Sequence, residues 1–249
     1  MAFSSTRMLM AAGNTNVPPV FTVYASNFGG SNYIKTPNSY AGGSGTTGII
    51  SMWVNFSVLS AAQYIIFLPT AGGNFLRVRY SNNGPGIDIT LNDGSGNSND
   101  WLYANSLTTG VWYNLLFSWN STGSPGSQIM NFYLNNVQQT TTPSGSGGTI
   151  SLPYNNPYAI AGTSSDFTGC VSEVYFAPNQ FLDFTVSGNR AKFYNSGAPV
   201  YLGSDGSAPT GTQPAIYWKG NSADLTNLGS MGSSFTQVGG SITACGSIP

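Results

Sequence analysis

The chain has 249 residues, of which only 6% are charged. It contains seven Lys and Arg residues, eight Asp and Glu residues and no histidine. So few cations argue against a surface that holds nucleic acid or an anionic membrane. The lack of imidazole excludes catalysis of the Ser-His-Asp and Cys-His types. The length suits one large all-β domain, and 32 glycines suit its many tight turns.

Residues 1–20 are small and polar and end at Pro18-Pro19, so we expect an extended arm ahead of the domain. The apolar stretch at residues 8–12 is shorter than the roughly 7–15 residues of a secretory signal. We therefore expect no signal peptide. Arms of this kind are ordered when a neighbouring molecule holds them, which makes the following residues candidate assembly contacts: Phe3, Arg7, Met8, Leu9 and Met10.

Alternating apolar and polar residues predict a series of strands. They lie, in chain order, at residues 49–58, 64–68, 75–80, 87–91, 111–119, 130–134 and 170–176. In the first strand, every second residue from Ile50 to Val58 belongs to the face that we expect to be buried. Ser51, Trp53 and Asn55 belong to the opposite face, which we expect to be more exposed to solvent. The continuous apolar run at 64–68 predicts a strand covered on both faces. Asn135-Asn136 is typical of a two-residue hairpin turn.

The rest of the chain, residues 181–249, is rich in Gly, Ser, Thr and Pro. It predicts an irregular C-terminal extension packed on, or completing, the same domain. We expect one short helix within residues 181–194, for which Ser187 can serve as N-cap, and a strand at 215–219. The two cysteines, Cys170 and Cys245, can pair, but we expect two buried, reduced thiols because two cysteines do not make a disulfide framework. Together these elements predict an all-β, two-sheet antiparallel sandwich of the jelly-roll type.

Three segments resemble, in order and spacing, the concanavalin A-like (laminin G-like) jelly rolls. They are VWYNLLFSWN at 111–120, NFYLNNV at 131–137 and GCVSEVYF at 169–176. The resemblance implies a domain over residues 21–180. Residues 183–211 are similar to an extension that follows such domains in virion structural proteins of tailed phages. This narrower resemblance implies a structural or decoration role on a capsid or a tail.

Some members of this superfamily cleave polysaccharides with two glutamates on one strand. This chain has a single glutamate, Glu173, at the similar position, and Ser172 and Val174 flank it. Glycoside hydrolysis needs two carboxyl groups about 5–9.5 Å apart, so we expect no enzyme. We predict that Glu173 is structural and pairs with an arginine or accepts backbone N–H groups.

A polar loop at residues 93–100 spaces its oxygen atoms as hard-cation loops do. Its candidate calcium ligands are Asp93, Asn97 and Asp100. The loop departs from the EF-hand pattern, because Ser98 stands at the sixth position and Ala104 at the twelfth. A plain turn is the favoured interpretation, so no cofactor is expected and Ca²⁺ remains the alternative.

Aromatic side chains provide candidate carbohydrate-stacking platforms at Trp101, Tyr103 and Trp53, with packing inside the sandwich as the alternative. A surface with little charge and many aromatic residues resembles an interface core. The leading hypothesis is therefore a non-enzymatic virion protein, a capsid decoration or tail-associated protein. Many copies of it would bind to a major capsid or tail protein and to one another. We expect neither nucleic acid nor a membrane as a partner. The alternative is a lectin-like module that adsorbs to glycans.

Overall fold

A computed structural model describes residues 5–7, 21–37, 42–69, 73–104, 106–140, 143–154, 157–162 and 167–249. The first strands are β1 (Ser5–Arg7), β2 (Phe21–Val23), β3 (Ser26–Gly29), β4 (Asn32–Lys35), β5 (Ser44–Gly45), β6 (Thr47–Phe56), β7 (Gln63–Pro69), β8 (Phe75–Ser81), β9 (Gly86–Asn92), β10 (Ser98–Ala104) and β11 (Trp112–Asn120). The others are β12 (Ile129–Leu134), β13 (Val137–Gln139), β14 (Ser144–Ser146), β15 (Leu152–Pro153), β16 (Ala159–Ile160), β17 (Thr168–Pro178), β18 (Tyr194–Asn195), β19 (Ala198–Pro199), β20 (Ile216–Trp218), β21 (Thr236–Gly239) and β22 (Thr243–Ala244).

Two antiparallel sheets form the sandwich, which confirms the predicted fold class. Sheet I has the strand order β13-β12-β11-β6-β17-β3-β22, with β20 also paired to β17. Sheet II has the order β14-β10-β9-β8-β7-β16-β4-β21. Apolar residues of both inner faces make the main core. Strands β20, β21 and β22 bring the C-terminal part of the chain into both sheets.

The core face of β6 is as predicted, because Ile50, Met52, Val54 and Phe56 are fully buried. The strand ends at Phe56, however, and Val58 is exposed. The prediction of a wetter opposite face is wrong, since Trp53 and its polar neighbours are buried too. The reason is a second apolar cluster, in which the C-terminal extension covers the outer face of sheet I; its members include Ile49, Leu116, Tyr175, Phe184, Phe193, Leu202 and Tyr217.

Strand β7 differs from the prediction that both of its faces are covered. The register against β8 shifts between Tyr64 and Ile66, so one extra residue is accommodated as a β-bulge. Ile65 and Ile66 are both buried in the core, whereas Tyr64 and Phe67 stay partly exposed. The bulge thereby brings two aromatic rings to the outer face of sheet II.

The predicted hairpin turn is confirmed. Asn135 and Asn136 join β12 to β13 with φ values of 49° and 65°, which is the conformation that two-residue turns of this type require. The predicted helix is shorter than its window and is limited to α1 (Ser187–Arg190). Ser187 is not its N-cap; that position is Val186, without a capping side-chain bond. The Asn189 side chain holds this turn instead by donating to the Asp183 carbonyl over 2.9 Å.

The expectation of two reduced thiols is wrong, because Cys170 and Cys245 form a disulfide with their Cα atoms 6.0 Å apart. Both cysteines lie beside β3. Cys170 is paired opposite Asn27, and the backbone N–H of Cys245 donates to the Ala25 carbonyl over 2.9 Å. The two cysteines are 75 residues apart in the chain and come together because the end of the chain returns to β3. No local sequence pattern predicts this return. Within the described ranges, no helix has the length and hydrophobicity of a membrane span.

Candidate functional site

The three aromatic residues chosen from the sequence as stacking platforms are all buried. Trp101 and Tyr103 are each 3% exposed, because β10 turns them toward the core. Trp53 points to the outer side of sheet I but is only 2% exposed. The Tyr194 ring covers it, with the two centroids 5.7 Å apart and the rings nearly parallel. None of the three therefore presents an open ring, which corrects their assignment as platforms.

The candidate calcium ligands bond to protein groups of the loop and of its neighbours. Asp93 accepts the backbone N–H groups of Ser95 and Asn97 and the Asn97 side-chain amide. Asp100 bonds to Thr90 on the next strand. These contacts are those of a hydrogen-bonded polar loop, and the choice between a plain turn and a calcium site stays a prediction. Among the described residues, no three acidic, cysteine or histidine side chains form a group that could hold a metal ion.

The proposed assembly contacts fall almost entirely outside the described residues. Phe3, Met8, Leu9 and Met10 are among the undescribed positions. For Arg7 only the backbone is described, and it pairs opposite Phe21 between β1 and β2. The role of the arm as a contact surface stays a prediction.

Glu173 is structural, but the predicted partners are wrong. It occupies the register shift in β17 with φ of 47° and is fully buried. Its Oε2 accepts a hydrogen bond from the Tyr217 hydroxyl over 3.1 Å, while Oε1 has no hydrogen-bond partner among the described residues. Burial raises the pKa of Glu173 to about 8, and the Tyr217 hydrogen bond and Lys219 oppose that rise. The carboxyl is closed to solvent, so it cannot reach a substrate.

The outer face of sheet II gathers charge in a chain that has little. The strand registers place Phe67, Arg77, Thr90 and Asp100 in one row across β7 to β10. A neighbouring row holds Tyr64, Arg79 and Asp88 by the same registers. We call the following residues the outer-face cluster: Tyr64, Phe67, Phe75, Arg77, Arg79, Asp88, Thr90 and Asp100. Two of the seven basic and two of the eight acidic residues of the chain lie there.

The polar half of the cluster is a connected network. Arg79 donates from Nε and Nη2 to Asp88 Oδ2 over 2.7 and 2.6 Å. Arg77 donates from Nε to Thr90 Oγ1 over 2.9 Å. Thr90 Oγ1 in turn lies 3.0 Å from Asp88 Oδ1 and 2.6 Å from Asp100 Oδ1. One network thus spans β8, β9 and β10.

Asp88 is the buried member of this network, with a side chain only 2% exposed. Burial and the neighbouring Asp100 raise its pKa to about 6, although Arg79 and Arg77 oppose the rise. A hydroxyl carries one proton, so Thr90 donates to one of the two carboxyl groups at a time. Asp100, which is partly exposed, keeps acceptor capacity for a ligand.

The aromatic half of the cluster lies beside the network. The Tyr64 and Phe67 rings stack with centroids 5.1 Å apart, and the Phe75 ring follows 6.3 Å from Phe67. The Arg77 guanidinium lies 5.1 Å from the centroid of the Phe75 ring, close enough for a cation–π contact. All three rings are partly exposed.

The sequence did contain a signal for this site. Phe75, Arg77 and Arg79 alternate with core residues, as do Asp88 and Thr90 on the strand after the turn. What it did not show is the register that brings these two sets together. Chemically, the cluster offers charge-assisted donors, carboxylate acceptors and apolar ring surface on four paired strands, β7 to β10. That combination suits an uncharged, hydroxyl-rich ligand.

Comparison with known proteins agrees with this fold. The family model described as Laminin_G_3, concanavalin A-like lectin/glucanases superfamily, matches residues 28–181, and the chain belongs to this family. No curated protein matches the sequence.

Several solved structures are similar. A Bacteroides ovatus protein has a TM-score of 0.59 and 17% identity, over 91% of this chain and 61% of its own. The chain thus spans about three fifths of that protein's length. The heptameric SAP-like pentraxin of Limulus polyphemus has a TM-score of 0.55 and 12% identity, over 89% and 94%. Domain 4 of the arabinanase AbnA of Geobacillus stearothermophilus has a TM-score of 0.51 and 15% identity, over 74% and 79%.

Proposed function

We propose that this protein is a non-catalytic carbohydrate-binding module that holds a neutral glycan on the outer-face cluster. The observation that carries the proposal is the adjacency of partly exposed aromatic rings to a network of arginine, aspartate and threonine side chains. Sugar rings have apolar C–H faces and hydroxyl edges, so they need both surfaces at once. Strands β8 to β10 supply them from rigid, paired positions, which favours a preorganised site.

Charge balance indicates which class of glycan binds. Arg77 and Arg79 are offset by Asp88 and Asp100, so an anionic sugar would find no surplus cation. A neutral glycan can instead accept from the guanidinium groups and donate hydroxyl protons to Asp100. Such bonds to charged groups are shorter and stronger than neutral ones.

Binding without cleavage follows from the state of the carboxyl groups. Glycoside hydrolysis needs one carboxyl group on each side of the scissile bond, with room for the sugar between them. Asp88 is buried, Arg79 donates twice to one of its oxygens, and the other oxygen lies 3.0 Å from the Thr90 hydroxyl. Glu173 lies beneath Tyr217 and is closed to solvent. Neither can take a place beside a bound sugar.

The structural relatives add support. The Bacteroides ovatus protein bears the designation of a carbohydrate-binding protein, and the arabinanase domain was solved with arabinotriose. Between the two hypotheses drawn from the sequence, the geometry favours the glycan-binding alternative. The virion role rests on the arm and on low surface charge, and it stays a prediction.

A glycan array with the full chain tests the proposal, followed by calorimetric titration with the glycan that binds best. We expect neutral oligosaccharides to bind and Phe75→Ala and Arg77→Ala to weaken binding about tenfold each, the equivalent of about 1.4 kcal/mol. Phe181→Ala is the matched control, because Phe181 is an exposed aromatic residue that follows β17 of sheet I and is not part of the outer-face cluster. Absence of binding to any glycan, or equal affinity of all variants, would contradict the proposal.

A further inference from the structure

A second cleft lies on the other side of the sandwich, over the outer face of sheet I. It has a volume of about 430 Å³, within the range of small-molecule sites. Its walls come from the β12–β13 turn, from α1 and from the β18–β19 hairpin, and they include Asn136, Ser187, Tyr194, Asn195 and Ser196. All of these except Asn136 lie beyond residues 28–181, which the family model matches.

Tyr194 is the aromatic residue that lines this cleft, and its ring is held in position by packing against sheet I. Trp53 stacks on one face of the ring, with centroids 5.7 Å apart and an angle of 8° between the planes. Trp53 belongs to β6, which is paired with β11 and β17 on its two sides. The Tyr194 ring therefore rests on the centre of sheet I while it stays partly exposed to the cleft.

The polar wall is also held in place. Asn136 Oδ1 accepts from Arg190 Nε over 2.6 Å, and the Arg190 guanidinium packs 4.5 Å from the centroid of the Tyr133 ring. This bond occupies the carbonyl oxygen of Asn136, so its Nδ2 group is the one that remains to donate. On the facing wall, Ser196 donates to Asn195 Oδ1 over 3.2 Å.

The chemistry of the lining selects the ligand. The described residues that line the cleft are amides, hydroxyls, small residues and one aromatic ring, and none of them is charged. A ligand that fits must be uncharged, must exchange hydrogen bonds with amide and hydroxyl groups, and must have an apolar face for the ring. A hexose or pentose unit meets all three requirements.

We propose that Tyr194, supported by Trp53, is the stacking residue of a second glycan subsite for one or two neutral sugar units. This inference rests on the proposed function, because it assumes that the protein binds glycans. The two subsites lie on opposite faces of the sandwich, so one molecule can hold two glycan chains or two parts of a branched one. Simultaneous engagement would raise avidity on a dense glycan surface without any new contact.

Calorimetric stoichiometry with a short neutral oligosaccharide tests the proposal. We expect about two ligands per wild-type chain and about one for Tyr194→Ala, with Tyr194→Phe unchanged because the ring face is kept. Arg77→Ala weakens the other subsite about tenfold, so that at the ligand concentrations of the titration only the Tyr194 subsite is occupied, and the double variant shows no binding there. Ala191→Trp is a second variant; Ala191 is exposed at the cleft, so the larger ring fills the cleft and leaves the Trp53–Tyr194 stack intact.

The outcomes separate the two proposals. One ligand per chain, lost in Arg77→Ala and kept in both Tyr194→Ala and Ala191→Trp, overturns the second subsite and leaves the proposed function standing. If the wild type binds one ligand, and Ala191→Trp loses this ligand while Arg77→Ala keeps it, the second subsite is supported. The same result excludes the outer-face cluster as a glycan site. If Tyr194→Ala fails to fold, as judged by thermal unfolding, the Ala191→Trp titration decides alone.

Discussion

The Tyr217 hydroxyl, on the β20 strand of the C-terminal extension, donates to Glu173 on the neighbouring strand β17 over 3.1 Å. This bond reaches one carboxyl oxygen, and the other has no hydrogen-bond partner in the part of the chain that the structure describes. Glu173 is fully buried and its pKa is raised from 4.5 to about 8, with burial as the largest cause. The extension thus closes over a carboxyl group that burial favours in its protonated form.

Glu173 should make stability depend on pH. Between about pH 4.5 and 8 the unfolded chain releases this proton while the folded chain keeps it, so the free energy of unfolding falls as the pH rises. Glu173→Gln removes the titration. We expect the variant to match the wild type near pH 4.5 and to exceed it by about 4 kcal/mol at pH 8. Urea denaturation at both pH values measures this, and identical pH profiles would show that Glu173 is ionised in the fold.

The disulfide should contribute substantially to stability. Cys170 and Cys245 are 75 residues apart in the chain, and cross-linking a loop of this length restricts the unfolded chain. We expect Cys170→Ser with Cys245→Ser to lower the free energy of unfolding by about 3 kcal/mol. Reductant should produce the same loss in the wild type and none in the double variant. A wild type that is insensitive to reductant under denaturing titration would contradict the account.

Arg79 should stabilise the fold chiefly through the ionised form of Asp88. Arg79→Gln leaves a buried carboxylate without its main partner, so we expect a loss of about 2 kcal/mol at pH 8. The loss should shrink as the pH falls below about 6, where Asp88 becomes protonated. Arg77→Gln is the control and should cost less, because its guanidinium lies 3.8 Å from Asp88. Equal losses at pH 5 and pH 8 would argue against an ionised Asp88.

Gly48 lies against the side chain of Trp119, which is fully buried. A Cβ atom at Gly48 would lie 2.1 Å from Trp119 Cζ2, so the indole would have to move within a packed core. We expect Gly48→Ala to destabilise by about 2 kcal/mol. Gly126→Ala is the matched control, since nothing lies within 4 Å of the added atom. Thermal unfolding of the two variants measures the difference, and equal melting temperatures would contradict the packing argument.

The strand pattern carried most of the fold. Alternation predicted β6, β8, β9, β11, β12 and β17, because each has an apolar face toward one core. The packing of the C-terminal extension on the outer face of sheet I could not be predicted in this way. Phe184, Phe193, Leu202 and Tyr217 are spread over a segment without periodicity, and only the tertiary structure brings them together. Trp53 was for this reason taken for an outward platform.

Only part of the outer-face cluster could be predicted from the sequence. Arg77 and Arg79 on β8, and Asp88 and Thr90 on β9, alternate on the outward phase of predicted strands. Their pairing depends on the register across the β8–β9 turn, and Asp100 joins them only through the β9–β10 ladder. The bulge in β7, which turns both Tyr64 and Phe67 outward, leaves no signal in composition or spacing.

Amide chemical-shift mapping during titration with the best-binding neutral oligosaccharide tests the central claim most directly. The account predicts that the largest shifts appear in β7, β8, β9 and β10, at residues of the outer-face cluster, and that they diminish in Phe75→Ala. Shifts that are absent at saturating ligand, or that leave these four strands unchanged, would contradict a glycan site on this face.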